Sequence, residues 1–343
     1  MTAHFETNLV TSSGTRGILG QDWRGLVGDI GGTNARFAVA ERIDGKTRLV
    51  NFKSLPCSGY ADVYVCLDDY FAQTGENRAF DYACVAVAGP VKNGRLKLTN
   101  LDWEVAEDRL AQTTGARKAW LINDYAALAF SLPHLTHEDT RTIGGLSQGF
   151  GEVRAVMGAG TGFGASVLVG GPYGAYCLST ESGHISFAPV NDYEVEIHRF
   201  LRKRFGRVTV EMLLSGPGLV NLYQAIKQVR GEKALDLTPP QITHLDGPDA
   251  QGCRHTVEAF LDILASTCGD LALAQGATAG MFIAGGIPPR LVAHIDDLRF
   301  RARMEAKAPM AHLVASIPSR LILHPSAALM GAAHALSDEQ IMA

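Results

Sequence analysis

A glycine-rich stretch between two apolar runs constrains the fold of this chain more than any other feature. Residues 28–36 read GDIGGTNAR, and residues 26–30 and 37–40 on either side have the composition of strands. Glycines between strands allow a tight turn whose amide protons can approach an anion, and Asp29 could hold a metal ion, directly or through water. The pattern predicts a hairpin that binds nucleotide phosphates. An ordinary β-turn explains this motif equally well when it is taken alone.

A second glycine-rich segment has the same strand-to-strand context. GAGTGFG at residues 158–164 follows the apolar run 153–157 and precedes the apolar run 165–169. The dinucleotide-binding fingerprint fails here, because Phe163 stands where its third glycine is required and a strand follows instead of a helix. A P-loop fails as well, because Ala40 stands where its first glycine is required before Gly45. Asp44 and Gly45 instead predict the turn of a β-hairpin.

A third junction of this kind lies near the carboxyl end of the chain. Residues 281–287 read MFIAGGI, an apolar strand that runs into Gly285 and Gly286. Paired glycines would let the backbone lie against a flat ring such as adenine, and a close-packed turn is an equally good explanation. The three junctions, in this order, resemble the two phosphate motifs and the adenosine motif of the sugar kinase, actin and heat-shock ATPase superfamily.

Composition is typical of a soluble enzyme with small ligands. The chain has 343 residues, 46% of them hydrophobic, which is enough for one large core and favours two. A net charge of -4 argues against nucleic-acid and membrane-surface partners, because their phosphates would not be attracted. Six cysteines without a C-x-x-C pair indicate neither a zinc site nor a disulfide framework, and they suggest a reducing cytoplasm. The first 22 or so residues lack the features of a signal peptide and predict a flexible tail.

Helices and strands alternate along the rest of the chain, without a detectable internal sequence repeat. Asn191 followed by Glu194 predicts a capped helix from about residue 193 to 205, ended by Gly206. Pro217 predicts the start of another helix. Apolar residues at helical spacing predict a long buried helix over 257–271 and a last helix over 329–336.

Asn123 and Asp124 are the best candidates for chemistry beyond nucleotide binding. They follow residues 119–122, a predicted buried strand, and open α/β sheets bind ligands at the carboxyl ends of their strands. Asp124 could therefore contact a substrate. It could equally be the N-cap of the helix predicted from residues 126–130.

Three further polar residues suggest a pocket for a polyol. Glu181 and His184 belong to an ESGH segment between apolar runs, and Glu211 is itself flanked by apolar residues. A buried carboxylate needs hydrogen-bond donors, which sugar hydroxyls provide. The alternatives are a salt-bridged Glu211 at a helix start and a structural His184.

The motifs together resemble the bacterial glucokinase family. They are, in chain order, GDIGGTNAR, AGPVKNG, TNLDW, LINDYAALA, GAGTGFG, ESGHISFAP, VEMLLSGPGLVNLYQAI and FIAGGI. The resemblance runs from about residue 24 to the end of the chain and points to the ATP-dependent group. The cysteine-rich zinc motif of the related ROK family is absent, which argues against membership in that family. Ser182 departs from the resemblance, since a second glycine is usual there.

The resemblance implies an α/β protein with the two-domain actin-like ATPase fold, ribonuclease H-like in its domains, and an active-site cleft between the domains. It implies a tail over residues 1–23, a small α/β domain over 24–133 completed by 324–343, and a large α/β domain over 134–323. It also implies a cytoplasmic homodimer that phosphorylates the 6-hydroxyl of glucose with ATP and Mg²⁺ as cofactors, and no membrane or nucleic-acid partner.

Residue roles follow from the matching motifs. The sugar would be held by Asn123, Asp124, Glu181, His184 and Glu211, with Asp124 as the catalytic base. The nucleotide would be bound by Gly28, Asp29, Ile30, Gly31, Gly32, Thr33, Gly160, Thr161, Gly162, Gly285 and Gly286, and Asp29 would reach Mg²⁺ through water.

Three alternatives to a glucokinase remain open. The same polar residues could accept another hexose or a hexosamine. A non-catalytic, sugar-sensing regulator would need a DNA-binding helix-turn-helix, for which the segment before residue 24 leaves no room. A nucleotide hydrolase of the actin or chaperone type would have no use for the polar residues assigned to the sugar.

Overall fold

The structure is a computed structural model that describes residues 22–98, 101–145, 148–171 and 174–337. The strands are β1 (Trp23–Ile30), β2 (Asn34–Ile43), β3 (Lys46–Pro56), β4 (Tyr82–Val87), β5 (Arg95–Lys97), β6 (Glu104–Ala106), β7 (Lys118–Asn123), β8 (Thr140–Thr142), β9 (Val153–Ala159), β10 (Phe163–Gly171), β11 (Gly174–Thr180), β12 (Gly280–Ala284) and β13 (Ser319–Ile322). The helices are α1 (Val63–Thr74), α2 (Glu107–Thr114), α3 (Asp124–Ser131), α4 (Asp192–Phe205), α5 (Gly216–Val229), α6 (Pro239–Thr243), α7 (Ala250–Gln275), α8 (Asp297–Glu305), α9 (Ala311–Ala315) and α10 (Ala327–Ala335). The mixed α/β class predicted from the sequence is confirmed.

The chain divides into two compact units. Unit 1 contains the described residues up to His134, the segment Gly170–Cys177 and the described residues from Ser326 onward. Unit 2 contains Leu135–Val169 and Leu178–Pro325. The tail predicted from the sequence lies outside the described residues as far as residue 21. Strand β1 already begins at the buried Trp23, the last residue of that predicted tail.

Unit 1 is built on a five-stranded sheet in the order β3-β2-β1-β4-β7. Strand β2 pairs antiparallel with both β1 and β3, whereas β4 and β7 run parallel to β1. The predicted turn between β2 and β3 is confirmed, since Asp44 and Gly45 both have positive φ, 50° and 76°. Gly331 allows α10 to pack closely on α3. A Cβ at this position would lie only 1.6 Å from the carbonyl oxygen of Ala127.

Unit 2 is built on a six-stranded sheet in the order β11-β10-β9-β12-β13-β8. As in unit 1, two antiparallel strands joined by a glycine-rich turn, β9 and β10, are followed by strands parallel to the first, β12 and β13. The two units therefore share a strand pattern that their sequences do not reveal. Such a strand pattern depends on the alternation of apolar and polar residues along each strand and on the positions of the turns. Two units can share both features without having similar sequences.

Helices α4 and α5 begin close to the predicted positions, whereas α7 begins seven residues before and ends four residues after the predicted range. Asn191 caps α4 by accepting a hydrogen bond from the amide of Glu194 at 2.9 Å, and Gly206 follows its last residue. Pro217 lies in the first turn of α5. The buried face of α7 supplies much of the core of this unit. Helix α10, which belongs to unit 1, begins two residues before its predicted start. No described helix is long and apolar enough to span a bilayer.

Candidate active site

The turn between β1 and β2 has the strand–turn–strand geometry that the sequence predicts. The amide of Gly31 donates to the carbonyl of Asn34 at 3.0 Å, and the amide of Cys57 donates to the carbonyl of Thr33 at 2.9 Å. A Cβ at Gly31 would meet only the Asn34 carbonyl oxygen, at 3.7 Å. Protein packing alone therefore does not require glycine at this position, and the space above the turn is open to a ligand.

Asp29 forms an ion pair with Arg36 beside this turn. The two residues are cross-strand partners in the β1–β2 ladder, and a guanidinium nitrogen of Arg36 lies 2.9 Å from a carboxylate oxygen of Asp29. Burial raises the pKa of Asp29, and the charge of Arg36 opposes that rise. The sequence analysis gave Arg36 no role. Opposite charges at equivalent positions on either side of a short turn are the signal that would have found it.

Asn123, and not Asp124, is the N-cap of α3. The side-chain oxygen of Asn123 accepts hydrogen bonds from the amides of Tyr125 at 2.9 Å and Ala126 at 3.3 Å. The interpretation of Asp124 as the cap is therefore wrong. Asp124 is the first helical residue, and its own carboxylate accepts a further hydrogen bond from the Tyr125 amide at 3.0 Å.

The Asp124 carboxylate has the protonation behaviour of a base that works near neutral pH. Burial, followed by the negative charge of Asp29, raises the pKa of Asp124 to about 6. The two carboxylates influence one another because β1, β4 and β7 are parallel, which brings the carboxyl ends of β1 and β7 to the same edge of the sheet. At neutral pH most Asp124 side chains are ionised and able to accept a proton.

In unit 2, the second glycine turn and the segment at Gly285 and Gly286 lie against each other. The turn joins β9 to β10 through Gly160, Thr161 and Gly162, and the amide of Gly160 donates to the carbonyl of Gly162 at 2.8 Å. A Cβ at Gly285 would lie 2.3 Å from the carbonyl oxygen of Ala159, whereas a Cβ at Gly286 would meet nothing within 4 Å. The predicted phosphate turn and adenosine segment are thus brought together, with open space at Gly286.

The amino terminus of α5 also reaches this turn, which the sequence analysis did not foresee. The amide of Gly216 donates to the carbonyl of Gly160 at 2.8 Å, and Ser215 caps the helix by accepting from the amide of Gly218 at 2.9 Å. Helix amino termini carry partial positive charge and favour anions. The sequence signal was SGPG, a capping serine followed by a proline in the first helical turn.

Glu211 links the ESGH segment to the second glycine turn. The residues before Glu211 pair with the residues after the ESGH segment, and the amide of Glu211 donates to the carbonyl of Gly183 at 2.9 Å. A carboxylate oxygen of Glu211 accepts a hydrogen bond from the amide of Phe163 at 2.8 Å. Glu211 lies in a turn before α5, and this partner is a backbone amide. The alternative of a salt-bridged residue at a helix start is therefore wrong.

Glu181 and His184 project from the protein at the ESGH turn. Their side chains are 67% and 60% exposed, and an Nε2–Oε2 distance of 3.9 Å separates them. A structural role for His184 in the core does not fit this exposure. Both side chains are available to a ligand.

Two surface cavities among the described residues contain none of the predicted site residues. One of about 290 Å³ is lined by α7, α8 and the residues before α8, and the Arg299–Asp262 ion pair forms part of its wall. The other, of about 340 Å³, lies in unit 1 around Tyr64 and Arg109. The predicted site residues instead lie in turns and segments next to the ends of strands.

These features agree with the outcome of comparisons with known proteins. The sequence profile of the glucokinase family matches residues 26–339. This chain belongs to the glucokinase family. The glucokinase of Caulobacter sp. (strain K31) is 44% identical over 316 residues, which cover 92% of this chain and 95% of that protein. The resemblance found in the motifs is confirmed.

Solved structures of other proteins resemble the fold of this glucokinase-family chain. A glucokinase from an Antarctic psychrotroph is 36% identical and superposes with a TM-score of 0.84, covering 92% of this chain and 99% of that one. A ROK family glucokinase from Streptomyces griseus, solved in complex with glucose and AMPPNP, is 17% identical with a TM-score of 0.58, covering 90% and 98% of the two chains. The second likeness concerns the fold alone.

Proposed function

We propose that this chain is an ATP-dependent glucokinase, which transfers the γ-phosphoryl group of ATP to the 6-hydroxyl of glucose and releases glucose 6-phosphate and ADP. The observation that carries the proposal is the position of Asp124. Its partly buried carboxylate, with a pKa of about 6, lies at the sheet edge that also carries the glycine turn after Asp29. A hexose kinase needs a base for the hydroxyl and a cradle for phosphate. Family membership supports the same reaction.

In the proposed reaction, Asp124 accepts the proton of the sugar 6-hydroxyl as that oxygen attacks the γ-phosphorus. A new oxygen–phosphorus bond forms while the bond from the γ-phosphorus to the β,γ-bridging oxygen breaks, and ADP leaves with that electron pair. A positioned general base contributes about 10²- to 10⁴-fold to the rate. In-line alignment and the neutralisation of charge on the transferring group supply the remainder, because phosphoryl transfer offers little covalent chemistry to a protein.

The remaining polar residues are proposed to hold the sugar. The side-chain oxygen of Asn123 caps α3, and its amide nitrogen donates one hydrogen to the carbonyl of Gly89 at 3.4 Å. The second amide hydrogen is the one that would donate to a sugar oxygen. Glu181 and His184 are exposed and close together, so they can accept from and donate to neighbouring hydroxyls. Glu211 has one carboxylate oxygen bound to the Phe163 amide and a second oxygen with which it would accept from a hydroxyl.

The nucleotide is proposed to bind along the glycine turns. In unit 1 the residues are Gly28, Asp29, Ile30, Gly31, Gly32 and Thr33, and in unit 2 they are Gly160, Thr161, Gly162, Gly285 and Gly286. The amino terminus of α5 beside Gly160 supports phosphate binding at the second turn. The open space at Gly286 supports an adenine ring there. Arg36 adds a positive charge next to the first turn.

The residues present fit a Mg²⁺ ion that is held mainly by water and by ATP. Asp29 supplies a carboxylate at the first turn, and the described residues contain no group of three or more His, Cys, Asp or Glu side chains that could form a metal cage. Mg²⁺ commonly keeps several waters and binds through one or two carboxylates together with substrate phosphates. When bound, it would neutralise charge on the phosphates. Asp29 would orient it through water.

The proposal extends to the fold of the domains, the oligomeric state and the cellular location. We propose the actin-like ATPase fold with ribonuclease H-like domains over 24–133 with 324–343 and over 134–323. The shared strand pattern of the two sheets supports it. A cytoplasmic homodimer is the corresponding expectation for the assembly.

Measuring ADP release with and without glucose tests this function. The proposal expects release that depends on glucose, with product phosphorylated at the 6-position and a higher kcat/KM for glucose than for mannose, fructose or N-acetylated hexosamines. A higher kcat/KM for one of the other sugars would identify a different hexose kinase. ADP release that is independent of any sugar would identify a hydrolase, and sugar binding without ADP release would identify a regulator.

A further inference from the structure

Ser182 is the buried side chain of an otherwise exposed turn. The residue is 7% exposed, whereas the side chains of Glu181 and His184 project outward. Gly183 cannot take over this role, because a Cβ there would lie 2.5 Å from the carbonyl oxygen of Phe163. We propose that Ser182 is a positioning residue, which holds Glu181 and His184 in place for the sugar. The inference rests on the proposed function of this turn.

A directed chain of hydrogen bonds passes through the Ser182 hydroxyl. Thr180 Oγ1 donates to the carbonyl of Ala165 at 3.1 Å, so the hydroxyl of Thr180 has no proton left for Ser182. In the contact of 2.7 Å between Thr180 Oγ1 and Ser182 Oγ, the proton therefore comes from Ser182. Ser182 Oγ in turn accepts from Gln275 Nε2 at 3.2 Å. Every hydroxyl proton in this chain has an acceptor, and each bond polarises the next.

The chain of bonds connects the turn to two elements of the core. Gln275 is the last residue of α7, 93 positions away from Ser182 in sequence, and Ala165 lies in the interior of β10. Both elements pack in the core of unit 2. The ESGH turn is thereby joined by hydrogen bonds to two elements of that core.

Glycine, which is usual at this position of the motif, could not make these bonds. Without a hydroxyl at residue 182, the amide nitrogen of Gln275 would lose its acceptor, and its Oε1 is already buried without a hydrogen-bond partner among the described residues. Ser182 and Gln275 therefore function as a pair. Fixing the turn before the sugar binds lowers the entropy that binding must remove, so the pair should favour glucose affinity.

The kinetics of full-length variants at Ser182 and at Gln275 test the role of this pair. Ser182→Ala and Gln275→Ala are each expected to raise the KM for glucose about 3- to 10-fold, because one or two partly buried hydrogen bonds are lost, while the KM for ATP stays within about twofold. The preference in kcat/KM for glucose over mannose should fall. The double variant should be no worse than the more affected single variant, since both changes break one chain of bonds. Ser182→Gly should raise the KM for glucose more than Ser182→Ala does, because glycine also makes the backbone of the turn more flexible.

Ser266→Ala is the matched control. Ser266 is a buried serine of the same helix as Gln275, and its Oγ accepts from Lys307 Nζ at 3.0 Å. Its removal should lower Tm by a similar amount and leave the KM for glucose unchanged. If Ser182 were only structural, its variants would behave as this control does.

Two results would overturn the inference. One is a KM for glucose that stays within twofold of the wild type in both Ser182→Ala and Gln275→Ala. The other is a parallel rise of the KM for glucose and the KM for ATP. A wild-type protein that releases no ADP with any hexose would instead refute the proposed function, and the inference with it.

Discussion

Glu211 and Phe163 are joined by a hydrogen bond of 2.8 Å from the amide of Phe163 to the carboxylate of Glu211, across 48 positions of sequence. Gly162 precedes Phe163, and a Cβ there would lie 2.7 Å from the same carboxylate oxygen. The glycine at this position of the turn thus makes room for Glu211. A residue proposed to bind the sugar is therefore also a support of the turn proposed to bind phosphate.

Replacing Glu211 should separate these two roles. Glu211→Gln is expected to weaken glucose binding about tenfold, because a charge-assisted hydrogen bond is lost, and to change ATP affinity little, because the amide oxygen can still accept from Phe163. Glu211→Ala should weaken both ligands, since the Phe163 amide then loses its partner. Calorimetric titration of each ligand measures the two affinities. Equal losses of both affinities in Glu211→Gln would count against a place for Glu211 in the sugar pocket.

The pH dependence of catalysis should reflect the raised pKa of Asp124. A base must be ionised, so kcat/KM for glucose should fall as the pH drops through about 6, the raised pKa of this carboxyl group. If the base were an aspartate with an ordinary pKa, kcat/KM would stay unchanged as the pH is lowered to about 4. The profile of kcat/KM against pH, measured in buffers of constant ionic strength, shows which applies.

The position of that acid limb should also depend on Asp29. Its negative charge is the second-largest cause of the raised pKa of Asp124, after burial. In Asp29→Asn the midpoint should therefore move to lower pH, whatever the loss of maximal rate. An unchanged midpoint would show that the two carboxylates do not interact.

Two adjacent glycines offer a matched test of the nucleotide site. Gly285→Ala should destabilise the protein by roughly 2 kcal/mol or more, because the residue has a φ of 90° and the new Cβ would lie 2.3 Å from the carbonyl oxygen of Ala159. Gly286→Ala should leave the free energy of unfolding nearly unchanged, since its Cβ meets nothing within 4 Å, and should weaken ATP binding. Denaturant unfolding and nucleotide titration give the two quantities. Unchanged ATP affinity in Gly286→Ala would place adenine elsewhere.

Local signals in the sequence predicted much of the fold. The Asp44–Gly45 turn is confirmed because positive φ favours these residues, and α4 begins and ends where its capping residues indicate. These features depend on neighbours in the chain. The strand pattern shared by the two sheets escaped detection because alternation and turn placement, rather than residue identity, determine it.

The candidate site was only partly predictable for the same reason. Residue types suggested Asp124 and Glu211 as candidates, whereas Asp29, whose charge raises the pKa of Asp124, and Phe163, which donates to Glu211, come from distant positions. Asparagine and aspartate cap helices about equally well, so the sequence could not decide between Asn123 and Asp124 as the cap of α3. Nor could it indicate that Gln275, at the end of a helix far along the chain, would reach Ser182.

The kinetics of Asp124→Asn test the central claim most directly. The amide keeps the size and hydrogen-bonding capacity of the side chain but cannot take the proton of the sugar hydroxyl. The account predicts that kcat falls by about 10²- to 10⁴-fold while the Kd for glucose changes less than about threefold. A variant that retained the wild-type kcat would contradict the assignment of Asp124 as the base.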